Sequence, residues 1–201
     1  MDRYTAMIVF LSVLCACGGP RWSETETENG YNLITQKRGQ TLGYAPGSGV
    51  GILTDDGYAF KDLNRNGSLE PYEDWRLPAE ERAEDLASRL TIEQIAGMML
   101  YSSHQSVPSE SWSGVYDGKI FAESSAASSD LSDNQKKFLT EDNLRAVLVT
   151  TVESPAAAAR WNNNMQMLVE GMGCGVPVNI SSDPRHETSA TAEYNYGSGG
   201  D

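Results

Sequence analysis

Six residues that can offer oxygen atoms, five through their side chains and Ser68 through its backbone carbonyl, recur through a twelve-residue stretch of the sequence with the spacing of a calcium-binding loop. They occupy positions 1, 3, 5, 7, 9 and 12 of that stretch, and they are Asp62, Asn64, Asn66, Ser68, Glu70 and Glu73. Calcium is a hard cation that takes several oxygen ligands, and the EF-hand pattern supplies them from these positions with a glycine at position 6. Gly67 stands there. The alternative is a polar surface turn, but random turns rarely place an acid at position 12, so we predict a Ca²⁺ site.

The flanks of this stretch indicate a structural ion rather than a calcium sensor. Pro71 follows the glycine closely and Phe60 precedes the loop, so two long amphipathic helices do not frame it. A sensor needs such helices because they open when the ion binds. We therefore expect bound Ca²⁺ to stabilise the fold.

A second candidate site lies near the end of the sequence, where Asp183 directly follows a predicted strand. Barrel enzymes place their active sites at the carboxyl ends of parallel strands. A carboxylate in that position can accept two charge-assisted hydrogen bonds from vicinal hydroxyl groups. The alternative is that Asp183 only caps the turn that it forms with Pro184.

The elements that must position these residues follow an α/β pattern. The run Ala146–Val152 is continuous and β-branched, which is typical of a strand buried on both faces. Ser154 and Pro155 then start a predicted helix over 156–172, and a second strand is predicted over 176–182. Strand, helix and strand form a βαβ unit, which makes the two strands parallel.

Shorter elements precede this unit. Thr91 and Gln94 form a capping box, which starts a predicted helix over 92–100. The other predicted elements are a hairpin over 53–60, helices over 79–90 and 132–143, and a long Ser-rich loop over 102–130.

The first residues have the features of an export signal. Residues 6–16 form an apolar run too short to span a bilayer, and Leu14-Cys15-Ala16-Cys17 resembles a bacterial lipobox. We therefore predict a lipoprotein signal peptide over 1–16 and lipidation of Cys17, with a plain secretory signal as the alternative. Residues 17–57 are predicted to form a tether and an irregular arm.

The charge and the remaining cysteine exclude other classes of protein. The formal net charge is −13, and without a basic surface to neutralise phosphates nucleic acid is not expected as a partner. Cys174 is the one cysteine that follows the predicted anchor. Because it has no Cys or His neighbours in sequence, we expect a small buried side chain rather than a nucleophile.

Two blocks of the sequence resemble glycoside hydrolase family 3, in particular its secreted bacterial β-glucosidase-like members. The blocks are FKDLNRNGSLEPYEDWRLPAEERAEDLASRLTIEQIAGMML, which starts at Phe60, and GCGVPVNISSDPRHETSATAEYN, which starts at Gly173. The resemblance covers residues 58–201. It implies an α/β fold in which an irregular N-terminal arm and an EF-hand-like loop segment, 58–77, precede the first portion of a (β/α)8 TIM barrel, 78–201.

The same resemblance implies a retaining, exo-acting β-glycosidase whose substrates are β-linked oligosaccharides or glycosides. In the family, the Asp of an Asp-x-x-His block hydrogen-bonds the hydroxyls of the sugar in subsite −1, which corresponds here to Asp183, with His186 as the matching His. The family's nucleophilic Asp and its acid/base Glu belong to later sequence blocks, so we expect this chain alone to be inactive.

The predicted lipoprotein signal implies a place in the cell, and one alternative function remains open. We expect an exported protein, held by its lipid anchor at a membrane in the periplasm or at the cell surface. The alternative is a calcium-stabilised surface lipoprotein that binds glycans without cleaving them.

Overall fold

The structure is a computed structural model that describes residues 19–109 and 114–182. These residues contain eight β-strands and four α-helices. The strands are β1 (Trp22–Glu26), β2 (Asn32–Gln36), β3 (Leu42–Tyr44), β4 (Gly51–Asp55), β5 (Tyr58–Asp62), β6 (Gln105–Val107), β7 (Ala146–Val152) and β8 (Asn179–Ser182). The α-helices are α1 (Ala79–Arg89), α2 (Ile92–Met98), α3 (Asp133–Thr140) and α4 (Pro155–Glu170).

The N-terminal segment forms an antiparallel sheet in the order β1-β2-β3. The prediction of an irregular arm was therefore wrong for residues 22–44. Strand β2 alternates in burial, with Ile34 and Gln36 buried and Thr35 between them exposed. Four of the five residues of β1 are exposed, so the strand has no apolar face and gives no periodic signal in the sequence.

The predicted hairpin is confirmed as the pair β4-β5, in which Asp55 lies opposite Tyr58. Asp56 and Gly57 form its two-residue turn, and their φ angles of 46° and 79° both lie in the left-handed region. A type I′ turn requires such angles, and an Asp-Gly pair adopts them readily. Because β5 ends at Asp62, the hairpin leads the chain directly into the predicted calcium loop.

Helices α1 and α2 form where they were predicted, and the Thr91–Gln94 capping box is present. Their packing is unusual because α1 has no buried residue and Gly97 is the only buried residue of α2. A Cβ atom on Gly97 would lie 2.3 Å from the carbonyl oxygen of Asp142. The close packing of α2 on the turn after α3 therefore depends on glycine at this position.

The predicted βαβ unit is confirmed by β7, α4 and β8. Strands β7 and β8 are parallel, with Ala146 opposite Asn179. The Ser154 hydroxyl accepts the N–H of Ala157 at the start of α4, and Pro155 occupies the first turn. Strand β6 adds a third parallel strand on the other side of β7. This strand was missed inside the predicted loop because three residues, two of them polar, give no periodic pattern.

The main core lies between this parallel sheet and the helices α3 and α4. It is built mainly from fully buried side chains, which include Val107, Leu139, Val147, Trp161, Met165 and Val169. The one polar atom of the Trp161 ring is satisfied, because its Nε1 donates to Gln135 Oε1 at 3.1 Å. The core therefore joins all three parallel strands to the two helices that connect them.

The end of α4 differs from the prediction by two residues, since Gly171 rather than Gly173 caps it. The Arg65 guanidinium donates to the Gly171 carbonyl at 3.0 Å and so binds the end of the helix at that point. The following strand, β8, begins three residues later than predicted, at Asn179.

The described residues thus form a mixed α/β fold with three small sheets and four α-helices, and they do not contain a closed barrel. No helix in this described part of the chain has the length and apolar character that crossing a bilayer requires.

Candidate functional site

The predicted calcium loop is held at both ends by an aromatic pair. Phe60 lies two residues before Asp62, Trp75 lies two residues after Glu73, and the two rings stack with their centroids 5.2 Å apart. The Trp75 Nε1 also donates to the carbonyl of Ala59 at 3.0 Å. These contacts keep the two ends of the loop close together.

The first half of the loop turns around the carboxylate of Asp62, a residue that is 7% exposed. Its Oδ1 accepts the N–H of Asn66 at 3.0 Å and its Oδ2 accepts the N–H of Gly67 at 2.9 Å. The φ angle of Gly67 is 77°, which glycine adopts without strain and which fits the sharp turn predicted at position 6. The Asn66 Oδ1 accepts the N–H of Ser68 at 2.7 Å, so successive polar side chains shape the backbone of the loop.

Glu73 closes the loop from its other end. Its Oε1 accepts the N–H of Leu63 at 2.7 Å, and its Oε2 accepts the N–H of Glu70 at 3.1 Å. The residue is 5% exposed, and burial raises the pKa of its carboxyl. A buried carboxylate is costly unless charge or hydrogen bonds compensate it.

The chemistry of this loop suits a hard cation, because every residue predicted to bind the ion offers oxygen atoms. Within the described residues, Asp62 and Glu73 form no ion pair with a Lys or Arg side chain, and Glu70 has only the Arg89 Nη1 at 3.9 Å. Among the described residues, no cluster of three or more His, Cys, Asp or Glu side chains is arranged so that it could hold a metal ion. The carboxylates are held by N–H donors instead, and Ca²⁺ binding stays a prediction.

The carboxyl ends of the three parallel strands lie along one edge of their sheet, at Val107, Val152 and Ser182. Glu153 directly follows β7, and its N–H donates to the Val107 carbonyl at 2.7 Å. This exposed carboxylate was not singled out from the sequence, although its place directly after a buried strand was a usable signal.

Several predicted site residues lie outside the residues that the structure describes. They are Asp183, His186, and Cys17 together with the predicted signal peptide over 1–16. Asp183 is the next residue of the chain after Ser182, the last residue of β8. The sequence therefore places Asp183 directly after the carboxyl end of a strand that is now known to be parallel to its neighbour.

Comparison with known proteins identifies relatives of the chain, although no family model matches it. It is 40% identical over 139 residues to a protein named periplasmic beta-glucosidase/beta-xylosidase from Dickeya chrysanthemi, an alignment that covers 68% of this chain and 19% of that protein. It is 30% identical over 125 residues to probable beta-glucosidase C of Aspergillus oryzae, covering 61% and 17%. It is 28% identical over 142 residues to beta-glucosidase C of Emericella nidulans, covering 68% and 20%.

The chain spans about a fifth of the length of the curated relatives that it matches. The aligned region nevertheless includes most of this chain, and all three relatives carry β-glucosidase in their names. The chain is therefore homologous to β-glucosidase-like glycoside hydrolases of family 3, which confirms the resemblance found in its sequence.

Proposed function

We propose that the protein is a retaining, exo-acting β-glycosidase of the β-glucosidase type that acts on β-linked oligosaccharides or glycosides. The 40% identity to a periplasmic beta-glucosidase/beta-xylosidase is the observation that carries this proposal. Topology supports it, because β6, β7 and β8 are parallel, stand in chain order, and alternate with α3 and α4. A (β/α)8 barrel is wound in this way, so we assign residues 78–201 to the first portion of one.

Within this proposal Asp183 is a substrate-binding residue rather than a nucleophile. A carboxylate after β8 would accept hydrogen bonds from two hydroxyls of the sugar in subsite −1, and His186 would lie beside it. Hydrogen bonds to a charged group contribute about 1.5–3 kcal/mol each, so losing two of them weakens substrate binding strongly. The hydrolysis itself needs two further carboxyl groups about 5 Å apart, one as nucleophile and one as acid/base.

Hydrolysis of an aryl β-glucoside by the protein, purified in the form that its native cells produce, tests this proposal. We expect activity, and we expect Asp183→Ala to lower kcat/KM by about a hundredfold or more, the equivalent of two charge-assisted hydrogen bonds. Asp142→Ala, at an exposed aspartate, is the matched control and should retain kcat/KM. An inactive wild-type protein that still binds the glycoside would support the non-catalytic glycan-binding alternative instead.

We also propose that the loop of residues 62–73 binds one Ca²⁺ with a structural role. The ion would be held by the side chains of Asp62, Asn64, Asn66, Glu70 and Glu73 and by the carbonyl of Ser68. Bound there, it would supply the positive charge that the buried carboxylates lack among the described residues. The support is that Asp62 and Glu73 are buried without a cationic partner in those residues, and that the loop is already closed by stacked rings.

Thermal unfolding with and without a chelator tests the calcium proposal. A ligand present at a hundred times its Kd adds about 2.7 kcal/mol of stability, which raises Tm by about 5–10 °C in a chain of this size. Glu73→Gln should abolish the rise caused by Ca²⁺, whereas Glu84→Gln, on the exposed side of α1, should leave it intact. Identical melting curves in Ca²⁺ and in chelator would exclude the site.

We finally propose that the protein is exported and anchored by a lipid on Cys17. The support is the lipobox-like sequence and the relative that is named periplasmic. Cells fed a labelled fatty acid should incorporate it into the wild-type protein but not into the Cys17→Ser variant. Equal labelling of both proteins would contradict the proposal.

A further inference from the structure

A cavity of about 200 Å³ lies between the N-terminal sheet and helix α4. Tyr31 and Tyr44 line it from the side of the sheet, Lys61 lines it from β5, and Asn163 and Glu170 line it from α4. None of these five residues belongs to the predicted calcium loop or to the carboxyl ends of the parallel strands β6, β7 and β8. The cavity is thus a feature of the molecule that the proposed function leaves unused.

The charged groups of the cavity neutralise each other. Lys61 Nζ lies 2.7 Å from Glu170 Oε1, and the Ala45 N–H donates to Glu170 Oε2 at 2.7 Å. Glu170 is only 6% exposed, so this pair is fixed by the fold rather than free to turn into solvent. The cavity is therefore polar without net charge, and it offers no excess positive charge to an anion.

Hydrogen-bonding groups on the wall have unused capacity. Within the described residues, the Tyr31 hydroxyl forms no hydrogen bond, since Tyr31 is hydrogen-bonded only through its backbone carbonyl oxygen. The side-chain amide of Asn163, which lines the cavity, forms no hydrogen bond in those residues either. The Lys61 ammonium has three N–H groups and uses two of them, toward the carbonyl of Gly43 at 3.1 Å and toward Glu170. A hydroxyl group, an amide and one ammonium N–H can therefore all bind a ligand.

Most of the other wall residues are apolar or aromatic, and the side-chain amide of Gln166, which is polar, is already bonded to the backbone of Val178. Met167 and Pro177 line the cavity together with the rings of Tyr31 and Tyr44. A ligand for this mixture needs an apolar face to pack on rings and aliphatic groups, and an edge of hydroxyls for the polar groups. A pyranose ring has both features, and it carries no charge that would conflict with the neutral ion pair.

We propose that this cavity binds one pyranose unit of a neutral saccharide, held by Tyr31, Asn163 and Lys61. The inference goes beyond the proposed glycosidase function, because sugar binding here needs no catalytic residue and no calcium. It assigns a binding role to the junction between the N-terminal sheet and α4, where the sequence predicted only an irregular arm.

Ligand-observed NMR titration of the full chain with glucose and with xylose tests this inference, with glucuronate as the anionic comparison. We expect saturable binding of the neutral sugars and weaker binding of glucuronate. Asn163→Ala should raise Kd about fivefold, the equivalent of one lost hydrogen bond, and Tyr31→Ala should raise it about tenfold. Asn164→Ala, on the same helix but lining a different cavity, should leave Kd unchanged.

The Asp183→Ala variant separates this inference from the proposed function. Binding that survives in Asp183→Ala but weakens in Asn163→Ala supports the cavity, even if the protein hydrolyses no glycoside. Binding that is lost in Asp183→Ala and unchanged in Asn163→Ala would place the sugar at the strand end and overturn the inference. Absence of saturable binding of either neutral sugar would overturn it as well, provided that circular dichroism shows a folded chain.

Discussion

Replacing Lys61 by methionine should destabilise the contact between the N-terminal sheet and α4, because it removes the cationic partner of a buried carboxylate. Glu170 is 6% exposed and would keep only its bond from the Ala45 N–H. Removing one partner of a buried ion pair costs about 3–5 kcal/mol. The Lys61 side chain is 28% exposed, so water can replace part of its contribution. We therefore expect the free energy of unfolding to fall by about 2–3 kcal/mol.

Urea denaturation of the full chain measures this change, and a double-mutant cycle with Glu170→Gln isolates the pair. Because the second substitution removes the stranded charge, the double variant should be more stable than the sum of the single effects, by about 1–2 kcal/mol. Lys136→Met is the matched control, since Lys136 lies 3.9 Å from Asp133 with its side chain 49% exposed. That control should cost no more than about 0.5 kcal/mol. Equal effects of Lys61→Met and Lys136→Met, or strictly additive effects in the cycle, would refute the reasoning.

Two further predictions concern the helices. Gly97→Ala should lower the free energy of unfolding by about 1–3 kcal/mol in urea denaturation, because the new Cβ would lie 2.3 Å from the Asp142 carbonyl oxygen. This overpacking outweighs the better helix propensity of alanine. A variant as stable as the wild type would contradict the prediction. Asp133→Asn should reduce the stability of the fold only at pH values above the acidic range. The N–H groups of Gly118 and Asp117 lower the pKa of the Asp133 carboxyl in the folded chain. The contribution of this carboxylate to stability is therefore fully present above the unfolded pKa of about 3.9, and it is lost as the pH falls through the lower folded pKa. The stability difference between wild type and Asp133→Asn should therefore be larger at pH 7 than at pH 3, and a difference that grows in acid would argue against these bonds.

The elements that the sequence predicted correctly are those specified by local chemistry. The Asp56-Gly57 turn, the Thr91 capping box and the Ser154-Pro155 helix start each depend on residues within four positions of one another. Strand β7 was equally clear, because a run rich in β-branched residues needs no distant partner to be recognised, although only Val147 and Leu148 of its seven residues are buried. Local patterns of this kind were enough to predict the parallel unit.

The elements that the sequence did not predict depend on distant contacts. Strand β1 exposes four of its five side chains, so its pairing with β2 decides its structure rather than its own pattern. The cavity beside α4 is lined by the ion pair between Lys61 and Glu170, which are 109 residues apart in sequence. The calcium loop combines both kinds of feature. The spacing of its predicted ligands is visible in the sequence, but the stacking of Phe60 on Trp75 that closes the loop is not.

The bond from the Ala45 N–H to Glu170 has a consequence for synthesis of the protein on the ribosome. The two residues are 125 positions apart, so the N-terminal sheet is made long before the helix end that it contacts. At about 5–20 residues per second, that interval lasts roughly 6–25 s. During this time the nascent chain carries a small, polar sheet whose docking partner has not yet been translated. The two glutamates and the threonine of β1 then have a second role, because a charged, solvated edge strand discourages pairing with neighbouring nascent chains before α4 has been made.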